Sequence, residues 1–223
     1  MVVAAGEQQT PQAQAALADL AQAYWYPLFA YVRRRKNDHE ARDLTQAFFA
    51  NLLEKNTVAA ADQTRGRFRA FLLSSLKNFL ANEWEKQRAA KRGGAASVLS
   101  LDFDDGDSRL RIEAIDGETP EHLYQRQWAM ALLDRVLAQL HQEYVAAGKE
   151  QQFDLLKSFI VTGSGDYQAV AATLGWTDNA ARVAVHRLRT RYRESLRTEI
   201  AHTVASPDDV DDEIRWLFTV FAS

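Results

Sequence analysis

The segment from Asp166 to Arg197 limits the fold of this 223-residue chain more than any other part of its sequence. Two parallel series of residues recur there at three- and four-residue steps. The apolar series is Ala181, Val185, Leu188, Tyr192 and Leu196, and the basic series is Arg182, His186, Arg189, Arg193 and Arg197. Because this spacing follows the α-helical repeat, it predicts a helix with a buried stripe beside a charged one.

A short helix and a tight turn are predicted immediately before this basic helix. Asp166 is a suitable N-cap for a helix from Tyr167 to Leu174. Gly175 permits the left-handed backbone of a tight turn, and Thr177 is a suitable N-cap for the helix that follows. A short helix, a glycine turn and an arginine-lined second helix together predict a helix-turn-helix.

A helix-turn-helix places its second helix in the major groove of DNA, with N-terminal residues at base edges and later arginines at phosphates. The alternative is an ordinary helical hairpin with a solvated arginine face. Near the bases we expect Thr177, Asp178, Asn179, Ala180, Arg182 and Val183, and near the phosphates His186, Arg187, Arg189 and Arg191.

The rest of the chain also shows helical rather than strand periodicity, which predicts an all-α fold. Asn37 and Asp38 are suitable N-caps for a helix from about His39 to Glu54, and a longer helix is predicted from about Arg67 to Arg92. We predict a helical domain at 16–92, an acidic linker at 93–125, a helix-turn-helix domain at 126–203 and a C-terminal helix in 204–223.

The net charge of −3 conceals a strong partition of charge along the chain. Residues 65–92 carry eight basic and two acidic side chains, and residues 179–198 carry six arginines and one glutamate. Residues 100–121 carry eight acids and two arginines, and residues 205–223 carry five acids and one arginine. Two basic helical segments and two acidic ones indicate a protein that binds a polyanion, although each run alone also fits a solvated face.

Three segments resemble, in the same order, bacterial sigma factors of the extracytoplasmic-function (ECF) class. Residues 41–49 (ARDLTQAFF) match the A-x-D-L-x-Q-x-x-F segment of that family. Residues 68–72 (FRAFL) and 76–80 (LKNFL) resemble the family's helix for the promoter −10 element. Residues 174–177 (LGWT) and 185–189 (VHRLR) resemble its C-terminal region, which binds the −35 element.

The resemblance implies two all-α domains, similar to sigma regions 2 and 4, and a role for each set of matching residues. The expected contacts to the clamp helices of the RNA polymerase largest subunit are Asp43, Leu44, Gln46 and Phe49. The expected −10 contacts are Arg67, Arg69, Lys77, Asn78, Asn82, Trp84, Lys86 and Arg88. Trp84 either stacks on an unpaired base or packs against the first helix.

These features predict a cytoplasmic transcription initiation factor that binds polymerase core and promoter DNA and is not an enzyme. The alternative is a dimeric helix-turn-helix regulator without affinity for polymerase core. No metal-ligand spacing, phosphate-binding loop, cofactor motif, cysteine or membrane span is recognised in the sequence. Regulation is expected either from an anti-sigma factor or from self-inhibition by the C-terminal helix, whose other interpretation is simple packing on its own domain.

Overall fold

The computed structural model describes residues 24–54, 67–90 and 117–221. Within these ranges every regular element is helical, which confirms the predicted all-α class. Most of the predicted acidic linker, the start of the predicted domain at 16–92 and residues 55–66 within that domain lie outside the described residues.

The described helices are numbered in chain order. They are α1 (residues 24–33), α2 (Asp38–Glu54), α3 (Phe68–Ala90), α4 (Pro120–Ala146), α5 (Glu150–Leu156), α6 (Ser158–Val161), α7 (Tyr167–Leu174), α8 (Asp178–Ala201) and α9 (Asp209–Thr219). Asn37 accepts a hydrogen bond from the Glu40 amide at 2.9 Å, which confirms the predicted N-cap of α2.

Helix α4 begins earlier than the sequence analysis expected, so residues 120–125 of the predicted linker are helical. Pro120 occupies the first turn, where its missing N–H costs nothing. The hydroxyl of Thr119 accepts a hydrogen bond from the His122 amide at 3.2 Å. Glu121 also lies in the first turn, near the positive end of the helix dipole.

The chain divides into two compact units. The first unit comprises Met1–Ala131 together with Ile200–Ser223, and the second comprises Leu132–Glu199. The C-terminal helix α9, which the sequence analysis predicted as an extension after the helix-turn-helix domain, therefore belongs to the first unit. The boundaries between the units fall within α4 and within α8.

Aromatic side chains form the centre of the first unit. The rings of Tyr24 and Trp128 stack with centroids 3.9 Å apart and planes 6° apart. The ring of Phe68 lies 6.1 Å from each of them, and all three side chains are buried. Burial of one large apolar side chain contributes roughly 1.5–3 kcal/mol to stability, so this cluster fixes α1, α3 and α4 together.

We expect Trp128→Ala to lower the free energy of unfolding by about 3–5 kcal/mol, because it leaves a cavity beside Tyr24 and Phe68. Trp84→Ala is the matched control, since that indole is 52% exposed and its loss should change stability by less than about 0.5 kcal/mol. Urea unfolding followed by circular dichroism measures both variants. Equal midpoints for them would contradict this description of the core.

The second unit has its own apolar core, to which each helix from α4 to α8 contributes buried residues. Its buried members are Leu140, Phe153, Leu156, Phe159, Val170, Ala171, Ala181, Val185 and Leu188. The predicted buried stripe of the basic helix is thus confirmed at Ala181, Val185 and Leu188, while Tyr192 packs against the same core and is partly buried.

The turn between α7 and α8 follows the capping pattern predicted from the sequence. The Asp166 carboxylate accepts hydrogen bonds from the amides of Gln168 and Ala169 at 2.9 and 3.1 Å. Gly175 has φ of 66°, and the Trp176 amide donates to the Ala171 carbonyl at 2.8 Å. The Thr177 hydroxyl accepts from the Ala180 amide at 3.1 Å, so both predicted N-caps and the glycine turn are confirmed.

Gly175→Ala should destabilise the second unit by about 1–2 kcal/mol, because alanine is disfavoured in the left-handed region. A Cβ added at Gly175 has no heavy atom within 4 Å, so the loss comes from the backbone alone. Gly175→Asn should therefore recover part of that loss, since asparagine tolerates this conformation. Thermal unfolding of the two variants tests this, and equal losses would be inconsistent with a purely backbone origin.

Candidate nucleic-acid interface

The N-terminal half of α8 presents most of the predicted base-contacting residues to solvent. Asn179, Ala180 and Arg182 are exposed, and Val183 is 40% exposed even though it is apolar. Exposed amide, guanidinium and apolar groups at the start of one helix are the types of group that read base edges in the major groove. Thr177 is also exposed but serves as the cap of the helix.

Arg182 is held at the junction of the two helices of the helix-turn-helix. Its Nε donates to the Asp178 carboxylate at 2.8 Å, and its guanidinium lies 4.6 Å from the centre of the Tyr167 ring. The hydrogen bond to Asp178 raises the pKa of Arg182 above its ordinary value. Such an exposed pair contributes little stability, so Arg182 can exchange this carboxylate for another acceptor at low cost.

Two of the predicted phosphate contacts are engaged within the second unit. Arg189 donates to the Phe159 carbonyl at 3.0 and 3.3 Å and to the Gly163 carbonyl at 3.1 Å, which satisfies carbonyl groups near the end of α6. Arg191 binds the Glu143 carboxylate through two hydrogen bonds of 3.0 and 2.7 Å. His186, Arg187, Arg193 and Arg197 are further exposed basic side chains of α8.

We expect Arg189→Ala to lower the free energy of unfolding by about 1–3 kcal/mol, because it leaves the Phe159 and Gly163 carbonyls without this donor. Arg193→Ala removes the same charge from an exposed position and should cost less than about 0.5 kcal/mol. Chemical denaturation compares the two. If both variants were as stable as the parent, the hydrogen bonds of Arg189 would not contribute to the stability of the second unit.

A groove of about 620 Å³ runs along one side of α8 in the second unit. Its lining includes Trp176, Ala180, Val183, Ala184 and Arg187. Trp176 and Ala184 are not among the residues that the sequence predicts to contact DNA. The signal available in the sequence was the pair of small residues Ala180 and Ala184, four apart on one helix face, which leaves room beside the helix.

The helix α3 of the first unit presents a second polar and basic surface. Lys77, Asn78, Asn82, Trp84, Lys86 and Arg88 are all exposed there. The structure brings Asn78, Asn82 and Lys86 together along a groove of about 430 Å³. These side chains lie in consecutive turns, so one strand of nucleic acid following the helix could contact all of them.

Trp84 and Lys77 lie on a different groove of the first unit, with a volume of about 390 Å³. Tyr31, Arg35 and Lys36 complete its aromatic and basic lining. Trp84 is 52% exposed, which favours its interpretation as a stacking surface over burial against the first helix. Tyr31, Arg35 and Lys36 are not among the predicted −10 residues, although the basic run at residues 33–36 was a signal available in the sequence.

Lys77 faces an acidic side chain from the start of α4. Its Nζ lies 2.8 Å from the Glu121 carboxylate, which also accepts a hydrogen bond from the Tyr31 hydroxyl at 3.2 Å. The hydrogen bond from Lys77 is the main cause of a lowered pKa at Glu121, which favours the charged form of this carboxylate. Lys77 is therefore partly neutralised in this structure.

Arg67 and Arg69, which begin the predicted −10 surface, contact the C-terminal helix. Glu213 of α9 lies 2.8 Å from the Arg67 Nε and 2.6 Å from the Arg69 Nε. Arg69 is 8% exposed, in contrast to the polar residues of the following turns. Arg69 is therefore covered and Arg67 is half-buried, whereas the other predicted −10 residues are exposed.

The predicted polymerase contacts on α2 are divided between surface and core. Asp43 is exposed and lies 3.1 Å from His39 on the same helix, and Gln46 is half-buried. Leu44 is buried and Phe49 is 1% exposed within the first core. In this structure Leu44 and Phe49 support the helix from inside, so an approaching partner would meet Asp43 and Gln46.

Neither a metal-binding cluster nor a membrane-crossing helix is found within the described ranges. No group of three or more histidine, aspartate or glutamate side chains there could hold a metal ion. None of the helices in that part of the chain combines the length and the hydropathy needed to cross a bilayer. No protein family, curated protein or solved structure matches this chain.

Proposed function

We propose that this chain is a transcription initiation factor of the ECF sigma type, acting in the cytoplasm on RNA polymerase core and promoter DNA. The observation that carries the proposal is the capped helix-turn-helix of the second unit, with exposed polar, apolar and basic side chains at the start of α8. A helix presented in this way matches the dimensions of the major groove. In this proposal the −35 element is read by the N-terminal residues of α8.

The polar surface of α3 supports the second half of the proposal. Asn78 and Asn82 line one groove and can form paired hydrogen bonds with adenine. Trp84 offers an exposed indole face on the neighbouring groove, where an unpaired base can stack. Lys86 and Arg88 supply positive charge for phosphates beyond them. A helix with this composition suits a −10 element whose strands have separated.

Docking on polymerase completes the proposed mechanism. Helix α2 exposes Asp43 and half exposes Gln46, while its Phe48 and Phe49 are buried in the first core. The clamp helices of polymerase core would pack on this outer face. The protein would then contribute affinity and position, and the polymerase would carry out the chemistry.

Transcription in vitro with bacterial polymerase core tests this function directly. We expect the purified chain to bind core and to start transcription from a subset of a randomised promoter library, with two enriched sequence elements at a fixed separation. Binding as a stable dimer without affinity for core would instead support the helix-turn-helix regulator. Failure to bind either core or DNA would contradict both functions.

Single substitutions should separate base contacts from phosphate contacts in the same assay. Asn179→Ala is expected to cost about 1–3 kcal/mol and to relax specificity at one position of the −35 element. Arg193→Ala should weaken binding to all sequences alike. It should also reduce the slope of the logarithm of the binding constant against the logarithm of salt concentration by about one. Gln139→Ala, at an exposed position on α4, is the control and should behave as the parent. Identical specificity for parent and Asn179→Ala would remove that residue from the base-reading set.

A further inference from the structure

The carboxylate of Glu213 is buried between two arginines that belong to the predicted DNA surface. Arg69 donates to both carboxylate oxygens, at 2.6 Å from Nε and 3.2 Å from Nη2. Arg67 contacts the same group at 2.8 Å. The side chain of Glu213 is 4% exposed and that of Arg69 is 10% exposed. The Arg69 guanidinium thus binds a carboxylate with the paired geometry with which it also binds a phosphate.

Other contacts from the C-terminal segment cover the same end of α3. The Arg69 guanidinium lies 3.4 Å from the centre of the Trp216 ring. Two residues of α9, Glu213 and Trp216, therefore contact this one arginine. The Phe68 amide donates to the Thr203 carbonyl at 2.9 Å, although this N–H is near the start of α3 where an incoming phosphate would also bind. Thr203, Glu213 and Trp216 therefore contact a backbone N–H and arginine side chains at this helix end, and both kinds of group can bind an anion.

A second acid acts in the same direction farther along α3. Glu121 lies 2.8 Å from Lys77, which is another predicted −10 contact. Arg67, Arg69 and Lys77 are thus all paired with carboxylates from outside α3, whereas Asn78, Asn82 and Trp84 remain exposed. Three of the five cationic side chains of the predicted −10 surface are therefore paired with carboxylates from outside α3, whereas Lys86, Arg88 and the base-contacting groups are exposed.

We propose that α9 is an intramolecular competitor of DNA, with the Glu213 carboxylate occupying the site of a backbone phosphate on Arg67 and Arg69. This inference rests on the proposed function. The two arginines cannot hold Glu213 and a phosphate at once, so DNA binding at this end of α3 requires α9 to leave. The apparent affinity for DNA is then lowered in proportion to the fraction of molecules in which α9 is released.

The length and surface of α9 are consistent with a segment that detaches. It has 11 residues, and an isolated helix of that length is marginal in water. Its inner face holds Val210, Glu213 and Leu217, all buried, while Phe218 is 63% exposed. Because Glu213 is the one charge on that inner face, neutralising it should selectively weaken the closed state.

Glu213→Gln in the full-length chain tests the competition. The probe is a fluorescently labelled DNA duplex with a short unpaired bubble, titrated at about 50 mM salt so that phosphate contacts contribute strongly. We expect Glu213→Gln to bind about tenfold more tightly than the parent, because a larger fraction of molecules is open. Asp208→Asn is the matched control, since it removes the same charge from an exposed residue next to α9 and should leave the affinity unchanged.

Trp216→Ala and hydrogen exchange provide an independent measure of release. Trp216→Ala removes the ring over Arg69 without changing charge, and it should increase DNA affinity by a smaller factor. In both variants the amides of α9 should exchange faster, while those of α7 in the second unit stay as protected as in the parent. If α9 exchanged faster and DNA affinity did not rise, α9 would be a purely structural helix and the competition would be refuted.

The outcome also separates this inference from the proposed function. If the parent binds DNA and Glu213→Gln binds equally well, the competition is refuted and the sigma-type function stands. An equal gain in Asp208→Asn would attribute the effect to net charge and would likewise refute the competition. If neither the parent nor any variant binds DNA, both proposals are refuted together.

Discussion

The buried pair of Arg69 and Glu213 holds the last helix of the chain, α9, against α3 in the first unit. Removing two charges from water costs several kcal/mol for each ion, so such a pair persists only where its geometry is close and its other polar groups are satisfied. Here Arg69 donates hydrogen bonds to both oxygens of the Glu213 carboxylate, and Arg67 contacts the same carboxylate. The Trp216 ring covers the Arg69 guanidinium. Because these contacts join α3 to α9, the last helix of the chain belongs to the unit formed by its first helices. The same contacts cover Arg69 and partly cover Arg67 just before α3, whereas Lys86 and Arg88 of α3 are exposed.

Local signals explain what could be predicted from the sequence. The caps at Asp166 and Thr177 and the turn at Gly175 depend on hydrogen bonds within a few residues, so residue type and spacing suffice to recognise them. The buried stripe at Ala181, Val185 and Leu188 follows from helical periodicity in the same way. Helices α7 and α8 and the turn between them were therefore predicted correctly from the sequence.

Contacts between distant residues explain what the sequence analysis missed. Glu213 and Arg69 are 144 residues apart. Residues 205–223 contain five acids, and nothing in the local sequence indicates that Glu213 is the one that becomes buried. Arg189 was grouped with the exposed arginines because it falls at the correct step, yet it lies close enough to α6 to bind the Phe159 carbonyl. Phe49 was selected through its place in a family motif, whereas its 1% exposure depends on how α2 packs. Periodicity gives the face of a helix, but the partner of a charged side chain is set by the tertiary fold.

The two candidate surfaces share one physical property that bears on how they would act together. In each, some arginines bind carbonyls or carboxylates of the protein, while other groups are exposed: Asn179 and Val183 on α8, and Asn78, Asn82 and Trp84 on α3. Arginines that are already paired add less to non-specific attraction for DNA than their number suggests, since each must lose a partner before it gains a phosphate. A net charge of −3 weakens that attraction further. Under the proposed function, the chain should therefore have low affinity for arbitrary DNA, and binding should depend on the exposed groups that distinguish one base from another.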